Sequence, residues 1–121
     1  MPSLAQLKAE LARGGKSRGL VEQCLARIAD QSGEGGRVFL KVHAADALAA
    51  ADFYDRIRTR GAAASPFAGI PVSIKDLVDI AGDVTTAGSV ALRNAKAAEH
   101  DAPAVARLRA AGRSCGLSGV P

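Results

Sequence analysis

The sequence predicts a mixed α/β fold. Two short segments, residues 38–42 and 72–77, have the apolar character of strands and follow glycine-rich or proline-containing stretches. Between them, the alanine-rich segment 44–60 carries apolar residues at helical spacing and ends before Gly61. Two strands joined through a helix can pair in parallel as a right-handed crossover. Because two strands cannot form a self-sufficient sheet, we expect this sheet to be incomplete.

Three further segments have helical patterns. Ser3 and Gln6 have the spacing of a capping box at the start of the first helix. Ser17 is expected to cap a second helix, with an apolar stripe formed by Leu20, Val21, Cys24, Leu25 and Ile28. Asp101 is expected to cap a last helix, which Gly112 closes.

Composition limits the classes of function. The chain has 121 residues, enough for one small domain, but aromatic residues make up only 3% and much of the apolar content is alanine. We therefore expect a thin core and marginal stability. The net charge of +4 is spread along the chain, and few aromatic residues are present for base stacking. This favours a mildly basic surface over a nucleic-acid site.

The cysteines and the hydropathy pattern give further limits. Cys24 and Cys115 have neither metal-ligand nor redox spacing, so no metal and no cofactor are expected. Cys24 is predicted to be a free, buried thiol in a reducing compartment. The sequence has no signal peptide and no apolar run of about 18 residues or more, which predicts a cytoplasmic protein without membrane contact.

Lys75 is the residue that most needs an explanation, because it lies in an otherwise apolar strand pattern and shares a strand face with Ser73. One interpretation is an edge strand, from which Lys75 extends its ammonium into water. The other is a desolvated lysine whose pKa falls, so that the neutral amine acts as a base towards a serine hydroxyl. The residues alone leave both interpretations open.

A long, ordered string of residues resembles the N-terminal part of the amidase signature family: residues 69–76, Asp79, Ala81-Gly82 and Thr85-Thr86-Ala87-Gly88-Ser89. The resemblance implies a mixed sheet flanked by helices and hydrolysis of carboxamides. The family's catalytic lysine, in its G-x-P-x-x-x-K-D stretch, falls on Lys75. In that family the lysine works with two serines, one of them after a cis peptide bond, from a downstream loop that is absent from these residues.

The resemblance also bears on partners. It implies a small amide as the substrate, with possible homo-oligomers of the full-length parent. One branch of the family is the A-type component of the tRNA-dependent amidotransferase, which works with partner subunits. A third possibility is a non-catalytic product or interaction module.

The loop 79–89 and two polar features outside it have interpretations of their own. Hydroxyl groups of Thr85, Thr86 and Ser89 are suited to binding around a site, or equally to satisfying the turn's own backbone. His43 is interpreted as a surface or capping residue. A cluster of basic residues near the end of the 44–60 helix complements the helix dipole, namely Arg56, Arg58 and Arg60.

The C-terminal residues depart from the family pattern. Residues 1–112 are predicted to be the N-terminal portion of an amidase domain, and residues 113–121 a divergent tail that lacks the expected valine and isoleucine run. We expect this tail to reflect a truncation or a change of reading frame. Ser118 lacks the glycine spacing of a nucleophile elbow and is not expected to be catalytic. An isolated chain with the base but neither serine is predicted to be inactive.

Overall fold

A computed structural model describes residues 2–112 and 114–118. In this part of the chain five helices, one short 3₁₀ turn and three strands follow one another. In chain order they are α1 (Leu4–Ala12), α2 (Ser17–Ala29), α3 (Gly35–Val38), β1 (Lys41–Val42), α4 (Ala44–Thr59), β2 (Pro71–Ile74), the 3₁₀ turn Val90–Leu92, α5 (Pro103–Ala110) and β3 (Ser114–Ser118). None of the helices within the described ranges is long and apolar enough to cross a membrane.

The predicted helix starts are partly confirmed. At α1, Ser3 Oγ accepts the Gln6 N–H at 3.2 Å and the Gln6 side chain accepts the Ser3 N–H at 2.6 Å, so the capping box is present. The prediction that Ser17 caps α2 is wrong, because Ser17 is already the first helical residue and is buried. Its backbone N–H donates to Asp55 of α4 instead.

The prediction that Asp101 caps α5 is also wrong. The N-cap position is Ala102, which makes no side-chain capping bond, and Pro103 begins the helix. The Asp101 carboxylate accepts the Ala81 N–H at 2.9 Å and pairs with Arg109 at 2.9 Å. A tertiary contact with the loop before residue 83 has therefore replaced the local cap.

The sheet differs from the predicted pairing. Its strand order is β1-β3-β2, with β1 antiparallel to β3 and β2 parallel to β3. The segments 38–42 and 72–77 therefore do not pair with each other, and both strands are shorter than predicted. Glycine at positions 35 and 36 allows a helical turn that takes in Val38, which leaves only Lys41–Val42 extended.

The central strand β3 comes from the tail, for which the sequence predicts no strand. Its residues lack the β-branched pattern of a strand, but the backbone pairs with strands on both sides. Strand formation depends strongly on pairing context, and here that context outweighs local preference. The mixed α/β class is confirmed.

The core consists of three small clusters. The first joins Leu11, Leu20 and Ile70, and the second joins Val21 with Ala47 and Ala51 between α2 and α4. The third lies beneath β2, the loop 79–89 and α5, and contains Ile74, Ile80 and Val105. Because small residues fill part of this interior, the core is thin in apolar area, in line with the composition. The third cluster supports the candidate site.

Candidate active site

A cleft of about 330 Å³ lies where β2 ends and the chain turns into the loop 79–89. Its walls are contributed by β1 with the residue before it, by the segment after β2 and by the loop. The lining residues are Leu40, Lys41, Lys75, Asp76, Val78, Ile80, Gly82, Asp83, Val84, Thr85 and Thr86. The cleft thus combines apolar walls with two lysines, two carboxylates and two hydroxyl groups.

Lys75 lies immediately after β2 and is exposed. Pro71 is the first residue of β2, and in the described sheet β2 pairs on one side only, which suits a residue without an N–H. The interpretation of an edge strand with an exposed ammonium therefore describes this chain. The alternative expectation of a desolvated lysine is not met here, because the described residues leave the Lys75 side chain open to solvent.

Asp76, beside Lys75, holds the glycine-containing turn of the loop. Its carboxylate accepts the Thr86 N–H at 2.8 Å and the Thr86 hydroxyl, and its backbone oxygen accepts the Ala87 N–H at 2.9 Å. Burial opposes ionisation of this carboxyl group, but the hydrogen bonds from Thr86 and the neighbouring N–H groups outweigh it. They hold the pKa of Asp76 below its ordinary value.

The turn has an unusual backbone. Ala87 has a φ of +51° and Gly88 a φ of +70°, while the Ser89 N–H donates to the Thr86 oxygen at 2.8 Å. Left-handed backbone is uncommon for alanine and persists where the surroundings enforce it. The contacts with Asp76 supply that enforcement.

The two threonine hydroxyl groups are both engaged within the protein. Thr86 donates to Asp76, and Thr85 donates to Asp79 at 2.6 Å. The interpretation of a turn that satisfies itself is therefore closer to the structure than a ring of hydroxyl groups awaiting a ligand. The acceptors are aspartates that precede the turn, a pairing that the sequence analysis did not identify.

A second charged cluster lies on the β1 side of the cleft. Asp83 is buried, and its two carboxylate oxygens contact Lys41 Nζ and His43 Nε2, the latter at 2.7 Å. Burial opposes ionisation of Asp83, but the hydrogen bonds and positive charge of these partners lower its pKa. His43 is thus more than a surface or capping residue, since it occupies the N-cap position of α4 and also binds the loop.

Two other predicted features can be placed. Ser118 belongs to β3, but its side chain lies outside the described residues, as does that of Cys115. Within the described ranges, no group of three histidine, cysteine, aspartate or glutamate side chains is arranged to hold a metal ion. Cys24 is a half-buried free thiol, and its burial raises its pKa.

An exposed lysine at the carboxyl end of a strand, a turn held by the adjacent aspartate and a cleft between them define an α/β protein with a candidate acid–base site. The family model described as Amidase matches residues 19–115. The chain belongs to the amidase family, as the resemblance in the sequence implied.

Relatives and solved structures agree with this assignment. The A-type component of the glutamyl-tRNA(Gln) amidotransferase of Roseiflexus castenholzii is 44% identical over 111 residues, covering 91% of this chain and 22% of that protein. Mandelamide hydrolase of Pseudomonas putida is 43% identical over 76 residues, covering 63% of this chain and 15% of that protein. The native peptide amidase of Stenotrophomonas maltophilia superposes with a TM-score of 0.82 and 36% identity, covering 98% of this chain and 24% of that one. The chain thus spans a quarter or less of each.

Proposed function

We propose that this chain is the N-terminal portion of an amide hydrolase that converts a carboxamide to a carboxylate and an amine or ammonia, with Lys75 as the general base. The observation that carries the proposal is the position of Lys75. It lies within the residues that match the amidase family and also lines the cleft at the end of β2. Mandelamide hydrolase and peptide amidase, which this chain resembles, are named for amide substrates.

The proposed chemistry is an acyl transfer that uses two serines of the family pattern. Neutral Lys75 accepts a proton through the serine that follows a cis peptide bond, and the nucleophilic serine then attacks the amide carbon. Backbone N–H groups stabilise the oxyanion, and the amine leaves with the transferred proton. Water then attacks the acyl ester, which releases the carboxylate and restores the serine.

We further propose that residues 1–112 supply the lysine while residues 113–121 are a divergent tail without the serine loop. Neutral Lys75 also requires more desolvation than the exposed position described here provides. Because members of a catalytic unit act together, loss of the serines is expected to reduce the rate by a factor of about 10⁶. The 121-residue chain is therefore predicted to have no measurable amidase activity.

The test compares this chain with a version extended through the next in-frame downstream sequence, on a panel of simple amides. We expect only the extended protein to release ammonia, and Lys75→Ala to abolish that activity. Lys96→Ala is the matched control, because Lys96 is exposed and pairs with Glu99 rather than lining the cleft. Hydrolysis by the 121-residue chain, or full activity of the extended Lys75→Ala variant, contradicts the proposal.

A second candidate is the A-type component of a tRNA-dependent amidotransferase. It is favoured by the Roseiflexus castenholzii relative, which is 44% identical over 91% of this chain. A protein of this kind is expected to form a stable complex with the other components of its enzyme. Co-purification of the extended protein with those components supports this candidate, whereas free amide hydrolysis without them favours the first.

A further inference from the structure

Lys41 lines the same cleft as Lys75 although it comes from a different strand. Its side chain is 55% exposed, whereas that of its partner Asp83 is 11% exposed. The carboxylate therefore lies behind and the ammonium lies towards solvent. A ligand entering the cleft meets the positive member of this ion pair first.

Asp83 is itself held firmly, which fixes the position of Lys41. The Asp83 N–H donates to the Ile80 oxygen at 3.0 Å, and the Asp83 oxygen accepts the Ala98 N–H at 2.8 Å. His43 contacts the second carboxylate oxygen at 2.7 Å. A lysine ammonium carries three donors, so contact with Asp83 leaves Lys41 with donors for another acceptor.

The other carboxylate of the cleft is arranged in a similar way. Asp76 is half-buried and turned towards the loop, where it accepts hydrogen bonds from Thr86, while Lys75 beside it is exposed. Both acidic groups are thus occupied by protein donors, and both ammonium groups face the cleft. The remaining wall is largely apolar, through Leu40, Val78, Ile80 and Val84.

We propose that Lys41 binds a carboxylate of the substrate and so selects amides that carry an acidic group. This inference rests on the proposed function, in which Lys75 serves the scissile amide of the same molecule. A cleft of about 330 Å³ lies at the small end of ligand pockets, which suits a compact amide with a short apolar chain between its two polar ends. Asp83 is then a positioning residue that holds Lys41 in place.

The test uses succinamic acid, which carries an amide and a carboxylate, and its neutral methyl ester as probes. Binding of each to the 121-residue chain is measured by NMR titration of backbone amide signals. We expect the acid to bind at least about fivefold more tightly than the ester, the range for a charge-assisted contact that is partly open to solvent. The preference should shrink as salt is added, because the contact is partly exposed.

Substitutions locate the preference. Lys41→Gln should bring the ratio of the two affinities close to one without changing binding of the ester, while Lys41→Arg should keep the preference. Lys96→Gln, which removes an exposed lysine outside the cleft, should leave the ratio unchanged. Equal binding of acid and ester by the unsubstituted chain overturns the inference. So does a preference that survives in Lys41→Gln.

The outcome is distinguishable from that of the proposed function. If the Lys41-dependent preference is found but hydrolysis by the extended protein does not need Lys75, the carboxylate site stands and the proposed base fails. If hydrolysis needs Lys75 but the acid and the ester bind alike, the base stands and the carboxylate site fails.

Discussion

Gly69 is a position at which the fold leaves no room for a side chain. Its φ is +85°, and a Cβ atom there would lie 2.2 Å from Ser17 Oγ and 3.1 Å from Tyr54 Cβ. Gly69→Ala is therefore expected to lower the free energy of unfolding by about 1–3 kcal/mol, through backbone strain and steric overlap. Urea denaturation followed by circular dichroism measures this change.

Gly19→Ala is the matched control for that substitution. Gly19 lies inside α2, and a Cβ atom there would meet nothing within 4 Å. Alanine in a helix interior is better than glycine by about 0.5–1 kcal/mol, so this variant should gain stability. If Gly69→Ala also gains stability, the close approach of Gly69 to Ser17 is not what requires glycine there.

Single residues differ in how far the sequence reveals them. Lys75 can be identified from the sequence because an ionisable residue in an apolar strand pattern is conspicuous, and because it lies in a long motif. Asp83 cannot be identified in this way, because its partners Lys41 and His43 are 42 and 40 positions away along the chain. Only the pairing of β1 with β3 and the path of the loop bring the three together.

At the scale of elements, Asp55 joins the start of α2 to α4. Its carboxylate accepts the N–H groups of Ser17 at 2.8 Å and Arg18 at 3.1 Å, and pairs with Arg58 at 2.7 Å. The first N–H groups of a helix need acceptors, and here a neighbouring helix supplies them. Arg58 therefore does more than complement the helix dipole, since it also donates to Ser17 Oγ at 3.0 Å.

Asp55→Asn is expected to lower the free energy of unfolding by about 1.5–3 kcal/mol at pH 7, because hydrogen bonds to a charged group are lost. Burial opposes ionisation of Asp55, but the bonds from Ser17, Arg18 and Arg58 outweigh it and lower its pKa. The stabilisation is thus complete above the unfolded pKa and is lost as the pH falls through the lower folded pKa. Urea denaturation between pH 7 and pH 3 should show the two proteins converging below about pH 4.

Asp52→Asn provides the comparison for this prediction. Asp52 also pairs with Arg18, at 2.6 Å, but its side chain is considerably more exposed than that of Asp55. Exposed ion pairs contribute about 0–1 kcal/mol, so this variant should change stability little. A pH-independent loss in Asp55→Asn, or equal losses in both variants, contradicts the proposed role of Asp55.

The elements that the sequence predicted well are those with local signals. The capping box of α1 and the alanine-rich helix α4 need only neighbouring residues, and both are present. The strands were predicted less well, because a strand is stabilised by its partners. The sequence signal at 38–42 gave way to a helical turn, and β3 formed in a segment without one.

At the scale of the whole molecule, stability depends on three small apolar clusters rather than one large core. Two of the residues in the second cluster are alanines, which bury little area. We therefore place the free energy of unfolding near the low end of the usual range, at about 5 kcal/mol. The third cluster has special importance, because Ile74 and Ile80 connect β2 to the loop that carries the candidate site.

Val105→Ala tests that dependence on the third cluster. Val105 is 0% exposed and packs with Ile74 and Ile80, so its truncation removes buried methyl groups and leaves a cavity. We expect a loss of about 2–3 kcal/mol, which would move the urea midpoint down by about half without changing the slope. Val90→Ala is the matched control, since Val90 is 74% exposed and should change stability by less than about 0.5 kcal/mol. Equal shifts in the two variants would mean that α5 and its cluster do not support the loop in the way described, and that the cleft depends on other contacts.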